Sequence, residues 1–547
     1  MAISKLDVIK IYKHKTALVI DDYPAMRGSI RRMLDNFGLM QCDTAPNGEE
    51  AILKCEENNY DIILADYNLG NSKNGQQVLE ELRYKNLLKN TTIYMLITAE
   101  TTKDMVFGAL EYRPDDYLAK PFTQGVLAKR LDRLVLEKES LFSINDAMDK
   151  LDFDRAIELC QQRIELHDKY QQRCYRIMGR CYYKKQKYDK SRKVYEEILE
   201  ERELEWASIG LGKSLMALNE FEQADALFSK LSDDGCLCLE VYDSLAEIKS
   251  LQGDIEGAQE ILERAIKISP NAIMRQAKLA DLSEDNHDWD RAEQSRRKVI
   301  RLGNNSVYET PEHYFKLARC INSQISHAPE ADKEKIKDVE KALSKAKRKY
   351  KDHDNIDLQS DIIEANAHAS AGDIKKSQEK ISDIQSKMKS ANNKSVQLML
   401  DMAQVYKTVG EHDKAKSILK DIAETCQDNI EICQAIDRIS DEPLSKAGKQ
   451  QSIELNQQGK ELFSSKQYSK AVQLFSQAIK YYPNNTGLNL NLMLALVREM
   501  SSQSVSAAQV HRCVVAQEKL AHISNDNPLY ERYKVLCAHL QKLKQSI

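Results

Sequence analysis

Five polar side chains close short apolar runs in the first 137 residues: Asp21 and Asp22 after TALVI, Asp66 after IILA, Thr98 after IYMLI and Lys120 after YLA. Three carboxylates gathered at separations of about 4 Å repel by roughly 4 kcal/mol per pair at an effective dielectric of 20. Such a group makes sense only around a cation. Oxygen ligands completed by water specify Mg2+. The ion can offset charge on an incoming phosphoryl group, while Lys120 and Thr98 supply a cation and a hydroxyl to its oxygens.

The elements that must bring these residues together are legible from Thr16 onward. Apolar runs of four or five residues alternate with helical patterns, and runs without polar positions suit strands buried on both faces. A doubly wound parallel α/β sheet is the economical architecture. In such sheets the site lies at the carboxyl ends of the strands, where all five residues fall.

LVIDDYPAMR, DIILADYNL, ITAE and DDYLAKPF resemble the receiver domain of bacterial response regulators, over residues 15–137. The resemblance implies a five-stranded sheet with Asp66 as phosphoacceptor, and Mg2+ held by Asp21, Asp22, Asp66 and the backbone carbonyl of Asn68. It also implies that Lys120 and Thr98 assist, that Thr98 and Tyr117 form a switch pair, and that Lys120-Pro121 is cis. Asn68 and Glu100 match the two positions that influence hydrolysis of the phosphoryl group, which implies a transient signal. The loop NLGNSKNG and the turn EYRPDDY depart from the family's pattern, so a reshaped switch face is expected.

After residue 140 no strand pattern survives. Small residues recur at Ser191, Ala224, Ala258 and Ala292, at intervals of about 34 residues, which indicates a solenoid of helix pairs. The segments YRIMGRCYYKKQKYDKSRKVYEEIL, LGKSLMALNEFEQADALFSKL, AEIKSLQGDIEGAQEILERAIKISPN and QGKELFSSKQYSKAVQLFSQAIKYYPN resemble the tetratricopeptide repeat. Gly179, Gly212, Ala258 and Ala265 would stand where helices approach closely, with Tyr182, Tyr195, Leu215 and Phe228 filling the space between turns. The expected organisation is an N-terminal extension (1–14), the receiver (15–137), a first all-α repeat block (138–305), an irregular helical pair (306–357) and repeat-like helices (358–440). A linker (441–451) and a last repeat with capping helices (452–547) follow, the latter able to cap the solenoid or form a homodimer contact.

In the phase of the repeat family, Arg173, Arg176, Arg180, Tyr183, Lys184 and Lys213 would line a basic stretch of the concave face. Glu240, Asp243 and Glu247, then Asp281, Glu284 and Asp285, would reverse its sign further along. The basic stretch suits an acidic partner segment, or the receiver's own acidic face, held by arginine forks.

Composition narrows the function. The chain has 42% hydrophobic and 30% charged residues, a mean hydropathy of −0.56 and a net charge of −4, so no global attraction to nucleic acid exists. ADKEKIKDVEKALSKAKRKYKDHD, the most lysine-rich stretch, is interleaved with acids and reads as a solvated helix. No apolar run is long enough for a membrane helix and no signal-peptide core is present, so the cytoplasm is expected. Twelve scattered cysteines with no CxxC fit neither zinc nor a disulfide framework. No enzymatic motif follows residue 140; the receiver would catalyse only its own phosphorylation and dephosphorylation. The resulting expectation is a response regulator phosphorylated by a histidine kinase or phosphotransfer domain, with output through protein binding by the repeats. Alternatives are a modulator that competes with a sibling regulator in a phosphorelay and, more remotely, a DNA-binding transcriptional regulator.

Overall fold

The apolar runs form a parallel five-stranded sheet: β1 (Thr16–Ile20), β2 (Gln41–Ala45), β3 (Ile62–Asp66), β4 (Ile93–Thr98) and β5 (Asp116–Ala119), in the order β2-β1-β3-β4-β5. This computed structural model describes residues 5–70, 73–99, 113–252, 254–327, 333–390, 395–440, 443–482, 485–502, 507–520, 523 and 528–544. Among the described residues five helices accompany the sheet: α1 (Lys5–Tyr12), α2 (Pro24–Asn36), α3 (Gly48–Glu57), α4 (Gly75–Tyr84) and α5 (Gln124–Ser140).

Alternate strand residues enter opposite layers, as the two-residue period of a strand requires. Val19, Leu64, Met95 and Ile97 pack with Ile30 and Leu34 of α2 and with Leu127 and Leu131 of α5. Leu18, Ile63, Tyr94 and Leu96 pack on the other face with Ile52 of α3 and with Val78 and Leu79 of α4. Side chains fix where the helices begin: Asn47 accepts from the Glu50 amide, Asn74 forms a capping box with Gln77, and Thr123 accepts from the Val126 amide. The segment expected as an N-terminal extension contributes α1, whose Tyr12 is fully buried and donates to Asp132 at 3.0 Å.

Everything after α5 is helical among the described residues. The chain divides into two compact units, residues 1–286 with 294–310, and residues 287–293 with 311–547. In the first unit helix pairs follow one another, for example Gln171–Lys184 with Tyr188–Glu201, Glu205–Ala217 with Phe221–Asp233, and Leu239–Leu251 with Ile255–Ile268. Ser191, Ala224, Ala258 and Ala292 are all fully buried, as expected of residues at the close approach of two helices. The Ser191 hydroxyl donates to the Gly179 carbonyl at 2.9 Å, and a Cβ on Gly212 would meet the Phe228 ring at 2.4 Å.

The second unit is a further run of helices closed by a C-terminal cluster that includes Phe475, Leu496, Leu536 and Leu540. The irregular pair expected at 306–357 is the helices Glu312–His327 and Lys333–Lys349. Much of the segment read as a linker is ordered structure, because helix Lys446–Ser464 begins inside it, capped by Ser445. Buried Asp437 fastens this turn by accepting from the amides of Leu444 and Ser445 at 2.7 and 3.0 Å.

Candidate functional site

The five residues Asp21, Asp22, Asp66, Thr98 and Lys120 occupy the carboxyl edge of the sheet. Asp21 and Asp22 follow β1, Asp66 ends β3, Thr98 ends β4 and Lys120 follows β5. Parallel strands in register bring these ends to one edge, and the βα turns leave it open. Asp21 is 1% exposed, Asp66 is 9% exposed and Thr98 is buried, whereas Asp22 faces solvent. Carboxylate oxygens of Asp21, Asp22 and Asp66 lie within 4.8 Å of one another. The Lys120 ammonium bridges two of them, 2.8 Å from Asp21 Oδ2 and 3.0 Å from Asp66 Oδ2.

Local hydrogen bonds aim these groups. The other Asp21 oxygen accepts from the Tyr23 amide at 2.8 Å, and the Lys120 amide donates to the Thr98 carbonyl at 2.6 Å. The Lys120-Pro121 bond is cis. Gly75 packs so closely behind Asp66 that a Cβ there would fall 2.2 Å from the Asp66 carbonyl oxygen, so this position excludes any side chain.

Burial pushes the Asp66 carboxyl above the usual aspartate range; the Lys120 hydrogen bond and charge oppose that, and Asp21 and Asp22 reinforce it. Burial also works against the Lys120 charge, but its bonds to Asp21 and Asp66 outweigh the penalty and raise its pKa. A cavity of about 370 Å³ opens over these side chains, lined also by Met26 and Ser29. Its donor set fits Mg2+: three carboxylates at one open edge, two of them bridged by Lys120.

Asn68 is exposed two residues beyond Asp66, its side chain accepting from the Gly70 amide at 3.2 Å. Tyr117 is half-buried on β5, paired in register with Leu96, while Thr98 is paired with Ala119. Glu100 lies outside the described residues.

Several of the six groove candidates find partners within the protein. Arg173 is paired with Glu137 of α5, and Lys213 with Glu240 at 3.0 Å. Burial holds the Arg176 guanidinium below its usual pKa, with Arg113, Arg180 and Arg173 adding to the effect and Glu240 opposing it. Tyr183 stacks edge-on against Tyr188, and the Lys184 ammonium lies over the Phe153 ring. Sequence reading missed the partners that receiver residues find on this block. Arg113 pairs with Glu240 at 2.6 Å, Lys73 donates to the Asn305 carbonyl at 2.8 Å, Gln77 donates to the Asn304 carbonyl at 3.0 Å, and Tyr84 meets Tyr308 edge-on. The acidic stretches are largely paired too, Asp243 by Arg275 and Asp281 with Glu284 by Arg296.

Residues 17–132 match the response regulator receiver domain family, and residues 175–202 and 239–272 match tetratricopeptide repeat families. Among curated proteins, the chain is 27% identical over 122 residues to chemotaxis protein CheY-3 of Vibrio cholerae, covering 22% of this chain and 92% of that protein. It is 28% identical over 117 residues to chemotaxis protein CheY of Pseudomonas aeruginosa, covering 21% and 93%. A solved structure of Vibrio cholerae chemotaxis protein CheY4 is 26% identical and covers 22% of this chain and 98% of that one, with a TM-score of 0.21.

Proposed function

Because this chain joins a response regulator receiver domain to tetratricopeptide repeats, we propose that it is a phosphorylation-dependent regulator in which Asp66 takes a phosphoryl group from a histidine kinase or phosphotransfer domain. The observation that carries this reading is the Lys120 bridge between Asp21 and Asp66 inside a cluster of three carboxylates. An Asp66 oxygen attacks phosphorus as the P–N bond of a phosphohistidine breaks, leaving an acyl phosphate on the protein and a free imidazole on the donor. Lys120 then faces the phosphoryl oxygens, and the Thr98 hydroxyl turns toward them while Tyr117 follows. Asp21, Asp22, Asp66 and the Asn68 carbonyl would hold Mg2+, which when bound offsets charge on the transferring group.

The output is protein binding. Receiver residues Arg113, Lys73 and Gln77 touch the first repeat block and Tyr84 meets Tyr308 just beyond it, so a change at Asp66 has a physical route to the surface that a partner would contact. An acidic partner segment suits the cluster of Arg176, Arg180 and Arg113. The cytoplasm, where a kinase presents phosphohistidine, is the place of action; no helix among the described residues is long and apolar enough to cross a membrane.

Purified full-length protein mixed with a small acyl phosphate and Mg2+ tests the chemistry. The intact mass should rise by one phosphoryl group, and Asp66→Asn should take up none. Absence of uptake from both an acyl phosphate and a phosphohistidine donor overturns the proposal.

A further inference from the structure

A second cluster of potential ligands lies in the other compact unit, far in sequence from the receiver. Glu364 and His368 stand one turn apart on helix Ile356–Ser370, and residues four apart share a helix face. Glu340 comes from the preceding helix, Lys333–Lys349. His368 Nε2 lies 3.9 Å from Oε1 of Glu340 and 3.9 Å from Oε1 of Glu364, and the ligand atoms of all three are within 4.8 Å of one another.

The histidine supplies an independent reason to expect a ligand. Its side chain is only 4% exposed, and both ring nitrogens are buried with no hydrogen-bond partner. A buried polar atom left in that condition costs about 1–3 kcal/mol, so native proteins satisfy it with protein, water or an ion. The carboxylates are too distant to hydrogen-bond the ring. They stand at the spacing of groups sharing a cation, since bonds of about 2.0–2.2 Å put two ligand atoms at most about 4.4 Å apart.

We propose that Glu340, Glu364 and His368 form a binding site for a divalent first-row transition metal, with Zn2+ the ion it fits best. One imidazole nitrogen and two carboxylate oxygens suit Zn2+ better than Mg2+ or Ca2+, which prefer oxygen alone, and three protein ligands leave a position for water. Burial pushes the His368 imidazole below its usual pKa, helped by Lys376 and Lys380 and opposed by Glu364 and Glu340. The rival for the site is Lys380, whose ammonium lies 2.8 Å from the same Glu364 oxygen. The ion would replace that contact and tie two helices together, raising the stability of the unit.

The test uses the full chain, stripped with chelator and returned to excess Mg2+ so that the receiver carboxylates are saturated. Co2+ then serves as a spectroscopic probe and Zn2+ as its competitor. One equivalent of Co2+ should bind with visible absorption bands that Zn2+ removes. His368→Gln and Glu340→Gln should each weaken binding at least about tenfold, and Lys380→Gln should tighten it severalfold. Glu340 is half-exposed, so its substitution reads binding even if the His368 variant folds poorly. Unchanged titrations of Glu340→Gln, or weaker binding by Lys380→Gln, would overturn the site.

Discussion

At the scale of single residues, Asp66 makes the sharpest prediction because its environment opposes its charge. A carboxyl whose pKa rises on folding above its ordinary value of 3.8 contributes stability that is complete below that value and lost as pH climbs through the folded one. Ionised Asp66 therefore weakens the metal-free receiver at neutral pH. Asp66→Asn should melt above the parent near neutral pH in chelator, the gap should close on acidification, and Mg2+ should raise the parent more than the variant. A gap that does not vary with pH would show that the folded carboxyl is unperturbed. Lys120 predicts the opposite sign. Its removal by Lys120→Met leaves Asp21, whose side chain is 2% exposed, beside Asp66 without the bridging ammonium. Breaking a buried pair in this way costs several kcal/mol, reduced here to about 2–3 because Lys120 retains some solvent. Denaturant unfolding with and without Mg2+ checks this, and the ion should recover most of the loss while phosphoryl uptake stays low.

At the scale of elements, legibility followed burial. TALVI, IILA and IYMLI announce strands because both faces are covered, and their registers carry the five chemical residues to one edge. Strand β2, QCDTA, escaped because it is an edge strand whose Gln41 and Asp43 face solvent, leaving no apolar run to recognise. The repeats were legible through their small residues, since Ser191, Ala224, Ala258 and Ala292 mark close approaches that admit little else. Charge pairing between helices was not. Arg275 with Asp243, and Arg296 with Asp281 and Glu284, join positions that come together only once the pairs have stacked. The packing itself is testable at Gly212, where an added Cβ would fall 2.4 Å from the Phe228 ring. Gly212→Ala should cost about 1–3 kcal/mol by overpacking. Combining it with Phe228→Leu should be less damaging than the sum of the two single changes, as measured by denaturant midpoints. Strict additivity would mean that the two side chains do not share that space.

At the scale of the whole molecule, the question is whether the receiver's contacts on the first repeat block are strong enough to matter and weak enough to release. Arg113 and Glu240 are 48% and 35% exposed, so their ion pair contributes about 0.2–1 kcal/mol rather than the larger value of a buried one. The hydrogen bonds from Lys73 and Gln77 to the Asn305 and Asn304 carbonyls add modest amounts, and the Tyr84–Tyr308 contact a little more. Together these reach the few kcal/mol that a phosphorylation event can redirect. A differential of about 2–3 kcal/mol shifts a docked-to-released ratio by roughly 30- to 150-fold. Arg113→Glu should therefore set like charges against each other and partly release the receiver. Amide exchange should accelerate in α4 and in the turn around Asn305, while the receiver core stays protected. Glu240→Gln should accelerate the same amides, because it removes the same ion pair. If acyl phosphate treatment of the parent accelerates the same amides, the Asp66 chemistry and the repeat surface are coupled through this contact. If phosphorylation leaves them protected, the signal leaves the receiver by another face.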